Sequence, residues 1–376
     1  MDYVPLILGL VIGVVTSYTD MKTGFIDDLH VFPIAGLGIV YYLYRGFFVE
    51  HNTMLALSGL IGFFIGLILG FVLYFLGAWA SGDVVILAGF SALLPYPPST
   101  ASLIPPYALN YPLYPISILL NSVIAIFPFI FLYSLGVLIV RKKFAELREI
   151  LTSGAKITAE VALWITAALG LQIVLYETTG IALGGILGWL TTVVIIILLG
   201  KAGKIGDVLG FIVLGYLIYL DPEKALWVFV RLLAVIYLFK VFFSTVKFMR
   251  TEVLMEEVPV EKLEEWDVLG ETIFEKDGRI GRDRTDPFMR MKTAIMTANL
   301  ELLKPDYGRV IASPTAEGLK KEQIEELKRL VEEGKLENSF LRKKTMPFAP
   351  ALFIGFLISY FWGDIFWWIQ LKIAGL

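Results

Sequence analysis

Residues 54–77 read MLALSGLIGFFIGLILGFVLYFLG, 24 consecutive residues without one charge. A helix needs about 20 apolar residues to cross the hydrocarbon core of a bilayer, so this stretch has the length and polarity of a membrane span. Comparable stretches run over 3–19, 31–49, 84–98, 114–140, 159–176, 181–199, 205–220, 224–245 and 347–366. Together they predict an all-α polytopic membrane protein with about ten transmembrane helices. The region 84–140 is uncharged throughout and has a Pro/Tyr-rich middle, which leaves nine spans or a re-entrant arrangement open. Composition points the same way: 57% of the 376 residues are hydrophobic and 18% are charged, with a mean hydropathy of +0.74. Soluble domains run at roughly 45–50% apolar residues, so lipid is the solvent for much of this chain.

Composition also excludes several kinds of chemistry. A net charge of -3 gives no concentrated basic face for a nucleic acid, and none is expected as a partner. With no cysteine there is no disulfide, no thiolate nucleophile and no cysteine zinc site. The two histidines, His30 and His51, cannot make an HExxH motif. Neither a metal nor a cofactor is expected. The first apolar stretch has no basic residue before it and no small-residue cleavage site after it, so it reads as a retained span rather than a signal peptide.

Basic residues in short loops are retained on the cytoplasmic side. With the N-terminus outside, the inner loops hold Lys22, Arg141, Lys142, Lys143, Arg148, Lys156, Lys201 and Lys204, against Arg45 and Lys224 outside. The same alternation puts the charged segment 246–345 in the cytoplasm, before the last span. Thr272-Ile273-Phe274 and Arg279-Ile280 flank Asp277-Gly278, a hairpin signal. Leu319, Ile324, Leu327, Leu330 and Val331 recur at near-helical spacing, with Thr315 as the candidate N-cap and Gly334 as the stop. A small cytoplasmic α+β domain is the expected result. The chain then divides into transmembrane helices carrying both candidate aspartates (1–140), additional transmembrane helices (141–245), the soluble domain (246–345) and a C-terminal transmembrane helix (346–376).

Two carboxylates stand out. Asp20 ends the first span and Asp83 opens the fourth, in Ala80-Ser81-Gly82-Asp83. The orientation above puts both at the cytoplasmic boundary. Ionisable groups at membrane depth are costly and tend to be functional. Two close carboxylates share a proton, so one can activate water while the other polarises a scissile carbonyl, which is aspartyl-protease chemistry. The plainer reading is that each caps a helix end at the interface.

Asp20-x-Lys22-x-Gly24-x-Ile26, then Leu76-Gly77-Ala78-Trp79-Ala80-Ser81-Gly82-Asp83, then Ala92-Leu93-Leu94-Pro95, resembles the archaeal type IV prepilin and preflagellin peptidases. These are intramembrane aspartyl proteases of the GxGD class. The resemblance continues in Glu317-Gly318-Leu319 and in Met346-Pro347-Phe348-Ala349-Pro350-Ala351-Leu352. The first glycine of GxGD is Ala80 here, the smallest substitute. The resemblance implies Asp20 and Asp83 as the catalytic pair, with Lys22, Gly24 and Gly82 as motif residues. It also implies cleavage of a short basic leader from pilin-like or archaellin precursors, at the cytoplasmic face of the plasma membrane. Bacterial relatives that also methylate the new N-terminus carry a cysteine-rich segment; this chain has no cysteine, and no methyltransferase activity is expected.

Other residues have competing readings. Asp27 and Asp28 either start the second helix or face water, or they contact substrate. Glu252 to Asp267 holds seven acidic residues and one basic one, Lys262. That run is either a solvated face or a strip, including Glu256, Glu257, Glu264 and Glu265, that docks a basic leader. Asp207 echoes Asp83 in Gly206-Asp207-Val208, with Lys204 near enough to pair with it. Pro350-Ala351-Leu352 matches a tripeptide of presenilin-like proteases, although proline at a helix start needs no functional cause. Ser153-x-x-Lys156 lies in a basic loop that topology already explains, and His30 reads as an interfacial side chain. The alternative class is a secondary transporter, whose acidic residues would couple protons or ions.

Overall fold

The computed structural model describes residues 3–75, 79–182, 185–285, 290, 305–314, 318–343 and 347–375. The chain is mostly helical: α1 (Tyr3–Thr23), α2 (Phe32–Tyr44), α3 (Thr53–Phe75), α4 (Ser81–Leu93), α5 (Pro115–Val140), α6 (Phe144–Thr152), α7 (Ala155–Thr179), α8 (Gly185–Ala202), α9 (Lys204–Leu220), α10 (Pro222–Phe248), α11 (Lys321–Glu332), α12 (Ala349–Phe361) and α13 (Ile365–Ala374). Every apolar stretch read from the sequence holds a helix. Among the described residues, six helical runs are long and apolar enough to cross a membrane: Tyr3–Thr23, Asp28–Val49, Thr53–Phe75, Pro115–Val140, Phe144–Thr179 and Pro222–Phe248. The others are shorter. The stretch 84–98 yields only α4, which stops before Pro95, Pro97 and Pro98. The stretch 347–366 is broken between α12 and α13 at Gly363, whose φ of 120° belongs to glycine.

The helices fall into two compact units, Met1–Ile104 with Ala108–Ile126 and Met249–Asp364, and Pro105–Tyr107 with Phe127–Phe248 and Ile365–Leu376. In the first, α4 is the centre. At 13 residues it spans about 20 Å, short of the hydrocarbon thickness. Its length is sufficient because it is wrapped: ten of its residues are buried, from Asp83 to Leu93. Small residues let α3 approach it backbone to backbone. A Cβ on Gly66 would lie 2.8 Å from Ala88 Cα, and one on Gly70 would lie 2.9 Å from Val84 Cα. This is the close approach that drives helix association where the solvent is as apolar as the side chains. α12 packs on α1 in the same way, with the ring of Phe353 lying where Gly13 lacks a side chain. In the second unit α7 packs on α9, with Leu163 seated over Gly210 and Val213 over Gly170.

The last helix break is held by a buried polar knot. Ser117 Oγ donates to Asp364 at 2.6 Å, Asn121 donates to Ser359 and to the Gly363 carbonyl, and Tyr114 donates to the Ser359 carbonyl. Backbone freed by the break is thereby satisfied inside protein, the condition for irregular chain at membrane depth.

The segment after α10 forms two three-stranded sheets from β1 (Met255–Val258), β2 (Val268–Leu269), β3 (Thr272–Lys276), β4 (Arg279–Asp283), β5 (Arg309–Ala312) and β6 (Phe340–Lys343), in the orders β1-β6-β2 and β4-β3-β5. The hairpin forms where the sequence placed it: Lys276 pairs with Arg279, and Asp277 and Gly278 have φ of 53° and 71°. α11 lays Ile324, Leu327 and Leu330 into a core with Leu269, Ile273, Ile311 and Phe340. Gly334 ends it with φ 67°. Its start corrects the sequence reading, since Lys320 is the N-cap residue and its N–H donates to Gln323 Oε1. Thr315 lies outside the described residues.

Candidate active site

Asp20 sits in the last turn of α1 and is 7% exposed. Its Oδ2 accepts the backbone N–H of Ala349 at 2.9 Å, with the N–H of Phe348 beside it. Ala349 is the first residue of α12, so the carboxylate occupies the positive end of that helix's dipole and satisfies amides that have no partner inside the helix. Pro350, next in the chain, has no N–H to satisfy. The Pro350-Ala351-Leu352 tripeptide therefore stands beside Asp20, a placement its helix-start chemistry alone did not require.

Asp83 is the third residue of α4 and is 6% exposed. Its Oδ2 accepts the N–H of Ala80 at 3.0 Å. The two sites mirror each other, since each aspartate takes the amide of the residue after an aromatic. Those aromatics, Trp79 and Phe348, pack together with ring centroids 5.2 Å apart. α1 and α4 run in opposite directions side by side, with Ile12 of α1 against Gly89 of α4. Ser17, one turn before Asp20, is buried, and its hydroxyl has no partner among the described residues.

Two glycines shape the site. Gly24 has φ 71° and donates its N–H to the Asp20 carbonyl, closing α1 with a left-handed residue. A Cβ on Gly82 would lie 2.9 Å from Ile26 Cβ, so the loop after α1 rests directly on the turn that carries Asp83. Ala80, where GxGD has glycine, has φ −84°, which an alanine adopts without strain. Leu76, Gly77, Ala78, Glu317 and Met346 lie outside the described residues.

The remaining sequence candidates are distributed as follows. Lys22 lies on the outer face of α1, donating to Tyr18 Oη at 3.2 Å. Asp27 and Asp28 are exposed; Asp27 caps the short 3-10 turn Asp28–His30 by accepting the Leu29 N–H. In the acidic run, Glu256 pairs with Arg342, Glu257 with Arg284 at 3.7 Å, and Glu265 with Lys321 at 3.5 Å. Asp207 accepts the indole N–H of Trp164 at 3.0 Å; among the described residues it makes no ion pair with Lys204, contrary to the pairing the sequence suggested. Lys156 pairs with Glu160 one helical turn on. Sequence reading missed the two capping amides, because Ala349 and Ala80 offer only backbone. It also missed Glu271, buried between Arg282 and Arg284 in the soluble domain.

Residues 7–132 match the model of the type IV leader peptidase family, and residues 231–341 match the archaeal peptidase A24 C-terminal domain. The chain is 30% identical over 364 residues to prepilin peptidase EppA of Methanothermobacter thermautotrophicus, covering 93% of this chain and 91% of that one. The chain belongs to the prepilin peptidase family. A second relative, prepilin peptidase EppA of Methanocaldococcus jannaschii, is 26% identical over 362 residues, 94% of this chain and 95% of that one. No solved structure matches. A prepilin peptidase is a membrane protease, which sets aside the transporter alternative. Asp20 and Asp83 lie in the first matched region, most of the soluble domain that follows α10 lies in the second, and Phe348 and Ala349 lie beyond both.

Proposed function

We propose that this chain is an aspartyl endopeptidase of the plasma membrane, and that it removes the short basic leader of type IV pilin-like or archaellin precursors at the cytoplasmic face. The observation that carries the reading is the pair of buried carboxylates, Asp20 and Asp83, on neighbouring antiparallel helices, each with one oxygen anchored by a backbone amide. Anchoring restrains each carboxyl through a backbone amide.

With one proton between the pair, the ionised member takes a proton from water as the water oxygen attacks the scissile carbonyl carbon. The protonated member gives its proton to the carbonyl oxygen. Collapse of the tetrahedral intermediate breaks the C–N bond; the proton taken from water passes to the leaving amine while the other carboxylate takes a hydroxyl proton back from the intermediate, so the pair ends as it began. The packed Trp79 and Phe348 rings link the two segments whose amides anchor the carboxyls. The cytoplasmic face is supported by the loop charges, eight basic residues on the side that holds Asp20 and Asp83 against two on the other. Of the acidic candidates, Asp27, Asp28 and Glu264 are offered to a basic leader directly, while Glu256, Glu257 and Glu265 meet it by exchanging their partners Arg342, Arg284 and Lys321.

The test is incubation of the purified protein with a pilin-like precursor, followed by mass spectrometry of the new N-terminus. The expected product begins at the leader boundary, just before the precursor's hydrophobic helix. A precursor left intact by well-folded protein removes the reading.

A further inference from the structure

Phe25 and Trp266 come from distant parts of the chain, the first from the loop after Asp20 and the second from the soluble domain. Their rings meet edge to face, with centroids 6.0 Å apart and planes at 81°. Both remain more than half exposed, at 57% and 53%. Two exposed rings set nearly at right angles form two walls of an open corner, and the faces of such rings attract cations. Burial is not what this contact achieves.

The corner is held from both sides. Trp266 has φ 77°, a left-handed conformation that bulky residues rarely take. Its N–H donates to the Leu319 carbonyl at 2.8 Å, and the Leu319 N–H returns to the Asp267 carbonyl at 2.8 Å. Gly318 makes room for this clasp, since a Cβ there would fall 2.3 Å from the Trp266 carbonyl oxygen. Phe25 lies between Gly24, which closes α1, and Ile26, which rests on Gly82. The corner is therefore tied through one residue on each side to the turns carrying Asp20 and Asp83.

The segments that carry the two rings are acidic. Glu264, Glu265 and Asp267 flank Trp266, and Asp27 and Asp28 follow Phe25, with Lys22 and Lys262 the nearest preceding bases in the chain. Lys321 partly offsets Glu265 and Arg342 partly offsets Asp267, which leaves Glu264, Asp27 and Asp28. Acidic segments repel anionic lipid headgroups, which speaks against a mere interfacial anchor. They suit a cationic peptide.

We propose that Phe25 and Trp266 form a two-walled aromatic site that takes a Lys or Arg side chain of the substrate leader, a proposal that rests on the leader-cleavage reading above. The bound cation places the leader along the loop that follows Asp20. Trp266 and Phe25 are thus specificity-determining residues, not catalytic ones.

The experiment measures binding of a fluorescent leader peptide to the full-length Asp83→Asn protein, which isolates binding from cleavage. A Lys/Arg leader and its Gln-substituted counterpart are compared on the Asp83→Asn background alone, with Trp266→Ala and with Trp266→Phe. Trp266→Ala should weaken the basic peptide about three- to thirtyfold and leave the Gln peptide within about twofold, while Trp266→Phe keeps most of the affinity. Equal weakening of both peptides would make Trp266 a structural wall and overturn the proposal. So would no change in either, or a change confined to binding in nanodiscs of anionic lipid. If the parent chain cuts no precursor, the leader-cleavage reading fails by itself, whereas the peptide binding still decides the fate of the aromatic site.

Discussion

Replacing Asp20 with Asn separates chemistry from architecture at one atom. The Asn side-chain oxygen can still accept the Ala349 N–H now bound at 2.9 Å, so α12 keeps its cap. What is lost is charge. A hydrogen bond to a charged group contributes about 1.5–3 kcal/mol and a neutral one about 0.5–1.5, a difference of about 1 kcal/mol. Loss of the favourable interaction with the helix dipole adds about 0.3–1 kcal/mol. Asp20→Asn should therefore destabilise the fold by about 1–2 kcal/mol, well within the stability of an ordinary domain. Activity should fall far more, by at least about 10³-fold or ~4 kcal/mol, because the amide can neither take nor give the proton. Asp83→Asn, whose Oδ2 holds the Ala80 N–H, should behave alike. The double variant should be little worse than either single one, since residues acting as one unit lose nearly everything with the first loss. The assay is precursor cleavage at matched membrane levels, alongside thermal unfolding of the detergent-solubilised protein. Partial losses that multiply in the double variant, or an active Asp20→Asn protein, would refute the shared-water reasoning.

Four further outcomes are expected. Gly82→Ala puts a methyl 2.9 Å from Ile26 and should lower cleavage several-fold, with recovery in Gly82→Ala/Ile26→Ala; a second change that fails to restore activity counts against steric coupling of the two turns. Asp207→Asn keeps an acceptor for the Trp164 indole and should retain most of the cleavage rate, so an inactive Asp207→Asn beside an active Asp83→Asn would show that the wrong Gly-Asp pair was chosen. Since the chain has no cysteine, single cysteines at Lys142 and Lys328 can be probed directly, and both should resist an impermeant thiol reagent outside intact cells; labelling of either reverses the orientation. Neutralising Glu256, Glu257, Glu264 and Glu265 should weaken substrate capture more at low salt than above about 0.1 M, where screening acts within about 10 Å, and an unchanged salt profile would return the strip to a solvated face.

The sequence alone determined the solvent and the helices, and it singled out the two acids as candidates. Apolar runs such as 54–77 admit no other environment, and the backbone's need for internal hydrogen bonds in lipid makes them helices. A carboxylate at the end of such a run is costly enough to be noticed wherever it occurs, which is why Asp20 and Asp83 were legible before any fold was known. The hairpin at Asp277-Gly278 was legible because positive φ leaves few residues to choose from. Tertiary structure decided what hydropathy does not encode. The length of α4 depends on the helices around it, and the break at Gly363 depends on Ser117 and Asn121 reaching it from far away in the chain. The partner of Asp207 proved to be Trp164 from another helix rather than Lys204 three residues before it. The amides that anchor the two aspartates belong to alanines, whose side chains carry no signal. Only packing, glycine against ring and Trp79 against Phe348, brings those backbone groups to the carboxylates, because contacts between residues hundreds of positions apart follow from shape and not from local pattern.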